Sequence, residues 1–275
     1  MDISIQTKVK LNNGVEMPLF GIGVWQMSRG EETRSAVRFA LGHGYRLIDT
    51  AKLYANEEDV GVAVRESGIP REEVFVTTKL WNGDHGYEAA IRAFNRSHAA
   101  LDIGPIDLYL IHWPVPKLRG ESWRAMTKVY EDGKCRAIGV SNYNIRHLEE
   151  LLDTSDIVPA VNQVEFSPFL YQKDLLEFSR RHGIRLEAYS PLTKGIRLHE
   201  PSIVEIASKY QRTAAQLLIR WALQHEIVVI PKSSRPERIL ENARVFDFSI
   251  TPSDMALLDS LHEDYRTAWD PTDGA

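Results

Sequence analysis

Three ionisable side chains stand where hydrophobic, β-branched runs end: Asp49 in YRLIDTAKLY, Lys79 in VFVTTKL and His112 in IDLYLIHWP. Tyr54 follows Asp49 by five residues. A carboxylate, an ammonium, an imidazole and a phenol make a proton-handling set. If the runs are parallel, neighbouring strands, all four groups converge on one mouth of the sheet. Each residue alone has a bland alternative. Lys79 could be a surface lysine at a loop start, and Asp49 or Thr50 a helix cap. A lone histidine is more often a satisfied polar group than a catalyst. Lys79, however, follows an apolar run that buries its surroundings, and Asp49 is there to pair with it. The four together point to an enzyme site.

The elements that must hold these groups form a repeat of strand then helix. LNNG, at positions 11–14, is a turn signal, so residues 7–17 are expected to form a hairpin. LFGIGVW, YRLIDT, VFVTTKL, IDLYLIHW, CRAIGVS, AVNQVEFS, IRLEAYS and IVVIPKS then read as strands. Amphipathic segments such as EETRSAVRFALGHG and YEAAIRAFNRSHAALDI lie between them. Strict alternation implies a parallel sheet. Eight such units in 275 residues imply an α/β fold, a closed (β/α)8 TIM barrel with an N-terminal β-hairpin. No linker or composition shift divides residues 1–275, so one domain is expected. An open doubly wound sheet would carry a glycine-rich turn after its first strand. Gly21 and Gly23 lack the third glycine of a dinucleotide fingerprint.

Barrel active sites lie at the C-terminal mouth. The residues expected there are Trp25, Asp49, Lys79, His112, Ser141 with Asn142, Gln163, Tyr189 with Ser190, and Lys232 with Ser233. The net charge of −5 offers no basic surface for nucleic acid or acidic membranes. The one cysteine, Cys135, excludes an internal disulfide and fits a reducing compartment. No run approaches the ~18 apolar residues of a membrane span, so a cytoplasmic protein is expected. The histidines show no close pairing for a metal, and neither a serine-hydrolase elbow nor a Walker loop occurs.

The segments GYRLIDTAKLYANEEDVG, VFVTTKLWN, DLYLIHWP, AIGVSNY, VNQVEFSP, AYSPL and IPKSSRPERILENARVFDF resemble the aldo-keto reductase superfamily over nearly the whole chain. They look most like its short microbial branch, with diketogluconate reductases and protozoal prostaglandin F synthases. The resemblance implies a catalytic tetrad of Asp49, Tyr54, Lys79 and His112, and NADPH bound extended across the mouth. It places the nicotinamide carboxamide on Ser141, Asn142 and Gln163, with Tyr189 stacked on the ring. The pyrophosphate falls on Ser190, Pro191 and Leu192. The adenosine 2′-phosphate falls on Lys232, Ser233 and Arg238, and the adenine on Glu241 and Asn242. Trp25, Trp81 and Trp113 would line the substrate pocket. Many relatives have histidine where this chain has Ser167 before Pro168, and the stretch from Thr193 to Pro201 is short.

The chemistry implied is reduction of aldehydes and ketones to alcohols. A phenol has pKa ~10, and a nearby ammonium favours the phenolate, so Lys79, held by Asp49, is expected to tune Tyr54 as general acid. A neutral His112 would polarise the carbonyl. A monomer acting on small carbonyl compounds, without a metal, is expected. Two other classes stay open: a lysine-based aldolase or isomerase with a Schiff base on Lys79, and a cofactor-bound regulatory subunit.

Overall fold

A computed structural model describes residues 3–272. Among these, β1 (Lys8–Lys10) and β2 (Glu16–Pro18) form the expected antiparallel hairpin, ending one residue beyond the sequence-based limit. Gly14, at φ 86°, makes the turn. Asn12 Nδ2 donates to Pro159 O at 3.1 Å and Asn13 Nδ2 to Arg136 O at 2.9 Å, which seats the turn on the N-terminal ends of barrel strands. Met17 and Leu19 are buried beneath it. The hairpin thus seals the bottom, away from the candidate mouth.

Eight parallel strands follow: β3 (Ile22–Gly23), β4 (Leu47–Asp49), β5 (Phe75–Leu80), β6 (Ile106–Ile111), β7 (Cys135–Ser141), β8 (Val161–Glu165), β9 (Arg185–Tyr189) and β10 (Val228–Val229). Each pairs with the next in chain order. Every residue of β5 and β6 is buried, as expected when both faces of a parallel sheet are covered. Bridges from Phe20 to Val229 and from Gly23 to Lys232 close the ring. Gly21 N donates to Val229 O at 2.9 Å across this seam. A Cβ on Gly21 would lie 2.5 Å from Leu47 Cγ, so closure requires glycine there. The two glycines that resembled half a nucleotide fingerprint belong to this seam.

The outer layer comprises α1 (Glu31–Gly42), α2 (Glu57–Glu66), α3 (Tyr87–Leu101), α4 (Arg119–Glu131), α5 (Ile145–Thr154) and α6 (Lys173–Arg181). It continues with α7 (Pro201–Lys209), α8 (Ala214–Gln224), α9 (Pro236–Ala243) and α10 (Pro252–Asp259). In α3 the buried set Ala90, Ala93, Phe94, Ser97 and Leu101 has helical spacing, so one face meets the barrel. Thr213 and Gln216 form a reciprocal capping box that starts α8. No helix among the described residues is long and apolar enough to cross a membrane.

Candidate active site

Asp49 ends β4, Lys79 lies near the end of β5, and His112 follows β6 directly. Tyr54 closes a 3-10 turn that begins three residues after Asp49. The barrel brings all four together. Lys79 Nζ lies 2.7 Å from both Asp49 oxygens, donates to Thr50 O at 2.9 Å, and donates to Tyr54 Oη at 3.4 Å. The Tyr54 and His112 rings meet edge-on at 5.8 Å. Lys79 and Asp49 are buried, and a buried ion pair survives only with such saturated geometry.

The electrostatics differ from the expected tuning. Lys79 was expected to draw Tyr54 toward the phenolate. Instead the phenol is pushed well above its ordinary value, first by burial, then by Asp49 and Glu187. Asp49 neutralises the ammonium, and a second carboxyl group adds to the opposing field. The phenol is therefore held protonated. His112 is driven well below its ordinary value by burial and by Lys79, so it is neutral. Its Nδ1 is buried without a partner.

Trp25 packs on Tyr54 at 4.8 Å and Trp81 on His112 at 5.3 Å between ring centres. Trp113 meets Trp269 at 5.4 Å. The tail after Glu263 is fastened over the mouth. Glu165, at the end of β8, accepts from Thr267 N at 2.7 Å and Ala268 N at 3.0 Å. Lys194 Nζ donates to Thr267 O at 2.5 Å. The short loop after Thr193 is thereby tied to the tail that carries Trp269. Glu165 and Trp269 were not foreseen as site residues, because their partners lie about a hundred residues away.

Ser141 ends β7 and Asn142 follows it. Ser141 Oγ donates to Gln163 O at 2.8 Å, and Asn142 Nδ2 donates to His112 O at 2.9 Å. Asn142 adopts φ 63°, a left-handed conformation that asparagine tolerates. Tyr189 Oη donates to Asn142 Oδ1 at 2.8 Å, which fixes the ring of the proposed stacking residue. A pocket lined by Asn142, Glu165, Tyr189 and Arg266 lies beside it. Gln163 Nε2 reaches Asp49 Oδ2 at 2.7 Å and Glu187 Oε2 at 2.8 Å. Glu187 was also missed, since its segment IRLEAYS shows only a polar residue within a strand.

Ser190, Pro191 and Leu192 continue from β9 into a turn in which Ser190 and Thr193 both have φ 48°. Ser167 is buried and turns back on itself through Leu170 N to Ser167 O at 3.0 Å, so its neighbourhood is packed without a histidine. Lys232 and Ser233 follow β10, and Ser233 Oγ accepts from Arg235 N at 3.1 Å at the start of α9. Arg238 is exposed in the first turn of α9, while Glu241 and Asn242 lie in its last turn. Tyr45 Oη donates to Ile239 O at 2.8 Å and Gln216 Nε2 to Glu241 O at 3.2 Å, which pins α9 to the barrel. Lys232 faces the Glu32 carboxylate, which Ser28, Ser234 and then Lys232 hold below its ordinary range.

The profile of the Aldo/keto reductase family matches residues 19–263. The chain is 49% identical over 271 residues to glyoxal reductase of Bacillus subtilis, covering 98% of each protein. It is 50% identical over 266 residues to the 9,11-endoperoxide prostaglandin H2 reductase of Trypanosoma cruzi, covering 96% of this chain and 94% of that one. The crystal structure of a Gox0644 mutant in complex with NADPH superposes with a TM-score of 0.93 at 41% identity, over 98% of this chain and 99% of that one. A parallel barrel with this polar mouth and matches of this length allow one assignment: the chain belongs to the aldo/keto reductase family, whose members are oxidoreductases acting on carbonyl groups.

Proposed function

We propose that this protein reduces aldehydes and ketones to alcohols with NADPH, using Tyr54 as general acid. The observation that carries this reading is the direction of the lysine's hydrogen bonds. Lys79 Nζ donates to Asp49, Thr50 and Tyr54 Oη, so Tyr54 receives a proton from that side and its own O–H is free for the mouth. A phenol held protonated is a proton store beside a neutral imidazole. When bound, reduced nicotinamide supplies a hydride to the carbonyl carbon. His112 orients the carbonyl oxygen, and Tyr54 delivers its proton there. The charge that develops on Tyr54 as the proton leaves is met by Lys79 at 3.4 Å. Asp49 fixes the ammonium throughout.

The residues present fit an extended dinucleotide phosphate. Ser141, Asn142 and Gln163 would hold the carboxamide, and Tyr189 the ring. Ser190, Pro191 and Leu192 would hold the pyrophosphate. Lys232, Ser233 and Arg238 would hold the 2′-phosphate, and Glu241 and Asn242 the adenine. NADPH in the Gox0644 complex supports this choice. Trp25, Trp81 and Trp113 would line an apolar substrate pocket, and such a pocket tolerates many carbonyls because one methylene shifts discrimination by only ~1–3 kcal/mol. These groups come from consecutive strand ends of one barrel, which supports a single catalytic domain. Burial pushes the Cys135 thiol up to about 12, which leaves it without redox chemistry of its own.

A Schiff-base role for Lys79 is disfavoured by its complete burial and by the partners that occupy its ammonium. The test is consumption of NADPH with a panel of aldehydes, ketoses, ketosteroids and prostaglandins. Turnover with aldehydes is expected. Tight NADPH binding with no turnover on any compound would favour a regulatory subunit, and borohydride trapping of substrate on Lys79 would favour the aldolase.

A further inference from the structure

Glu187 lies on β9, fully buried, and is the register partner of Gln163 on β8. Gln163 Nε2 lies 2.8 Å from Glu187 Oε2 and 2.7 Å from Asp49 Oδ2. Both protons of the Gln163 amide are therefore spent on carboxyl groups. Flipping that amide would set its carbonyl oxygen against the Asp49 carboxylate, which can only accept. Asp49 alone would accept one proton and leave the other to compete for whatever enters the mouth. Glu187 removes that choice.

The cluster is unusual in charge. Lys79 faces two carboxyl groups, Asp49 and Glu187, with Glu57 farther off, and Tyr54 and neutral His112 are the other titratable neighbours. Burial, with the Asp49 charge behind it, pushes Glu187 up to about 8. Its Oε1 is buried without a partner. A residue kept only to fill the core would do better as methionine, which has similar volume and no polar atom to desolvate.

We propose that Glu187 is a positioning residue that locks the Gln163 amide, so that the Gln163 oxygen is the end left to accept from the carboxamide NH2 of a bound nicotinamide. This rests on the cofactor site proposed above. It makes Gln163 an acceptor rather than a donor, and so selects a carboxamide over a group that cannot donate.

The test compares NADPH with its reduced 3-acetylpyridine analogue, which has a methyl group in place of the NH2, by fluorescence titration. Wild type is expected to bind NADPH about ten-fold more tightly than the analogue, the worth of one good hydrogen bond. Glu187→Met should bring the two affinities close together, mainly by weakening NADPH. Glu187→Gln keeps an oxygen acceptor for Gln163 Nε2 and should restore the preference. An unchanged preference in Glu187→Met, or its loss in both variants, overturns the lock. If Glu187→Met does not fold, the wild-type preference decides: equal affinities for the two cofactors overturn the acceptor role. Failure of wild type to bind either cofactor would instead overturn the cofactor site, and the lock with it.

Discussion

Lys79 Nζ lies 2.7 Å from both carboxylate oxygens of Asp49, in a pair closed off from solvent. This contact ties up the ammonium, as a role as a fixed charge requires. It also means that removing either partner strands the other in the barrel interior.

Lys79→Met tests that pairing. The charge beside Tyr54 disappears, and Asp49 keeps Gln163 as its remaining side-chain partner. Turnover should be lost, and stability should fall by about 3–5 kcal/mol, the cost of leaving a buried carboxylate unpaired. Adding Asp49→Asn should recover most of the stability and none of the turnover. A fully active Lys79→Met protein would show that the lysine plays no part in the chemistry.

Tyr54→Phe keeps the ring that packs against Trp25 and removes the transferable proton. Carbonyl reduction should drop by ~10²-fold or more, the usual size of a general-acid contribution. NADPH affinity should stay near the wild-type value. Retention of most of the turnover would sink the assignment of Tyr54 as acid.

Three members of the proposed tetrad were legible because Asp49, Lys79 and His112 stand where apolar runs end and the barrel aligns those ends, and Tyr54 followed from its place five residues after Asp49. The alternation of strands and helices carried the fold for the same reason. Glu187 and Glu165 were illegible. Both are glutamates within strand segments, and their significance lies in partners from distant parts of the chain: Asp49 through Gln163 in one case, Thr267 and Ala268 in the other. The direction of the Tyr54 shift was missed because it depends first on burial and then on a net field. Spacing identifies Lys79 as a neighbour, but only packing shows that Asp49 neutralises it and that Glu187 adds a second carboxyl group.

His85 supplies a pH test remote from the tetrad chemistry. It is buried, its Nδ1 lies 3.0 Å from Ser122 Oγ, and its Nε2 has no partner. Burial pulls it from 6.5 down to about 4. The unfolded chain binds this proton more readily, so the contribution of neutral His85 is full above pH 6.5 and is lost as pH falls toward 4. The loss amounts to about 3 kcal/mol at most. His147, also pulled down to about 4, acts in the same direction. Thermal melts across this window should therefore show declining stability, and His85→Gln should flatten part of the decline. Parallel curves for the two proteins would show that His85 does not carry it.

Cofactor choice rests on one phosphate, so discrimination must come from groups that bind a dianion at that spot. Lys232 and Ser233 follow β10, and Arg238 stands in the first turn of α9, whose backbone is pinned by Tyr45 and Gln216. An ammonium, a hydroxyl and a guanidinium fork there can cradle the 2′-phosphate, and the N-terminus of α9 adds its favourable dipole. Glu32 is the complication. Its carboxylate already draws on Lys232, so the phosphate depends most on the guanidinium of Arg238. Loss of Arg238 should consequently weaken NADPH by about one to two decades while leaving NADH almost unchanged. Fluorescence titration of both cofactors on wild type and Arg238→Ala measures this directly. Equal weakening of the two cofactors, or no preference for NADPH in wild type, would place the phosphate on other residues.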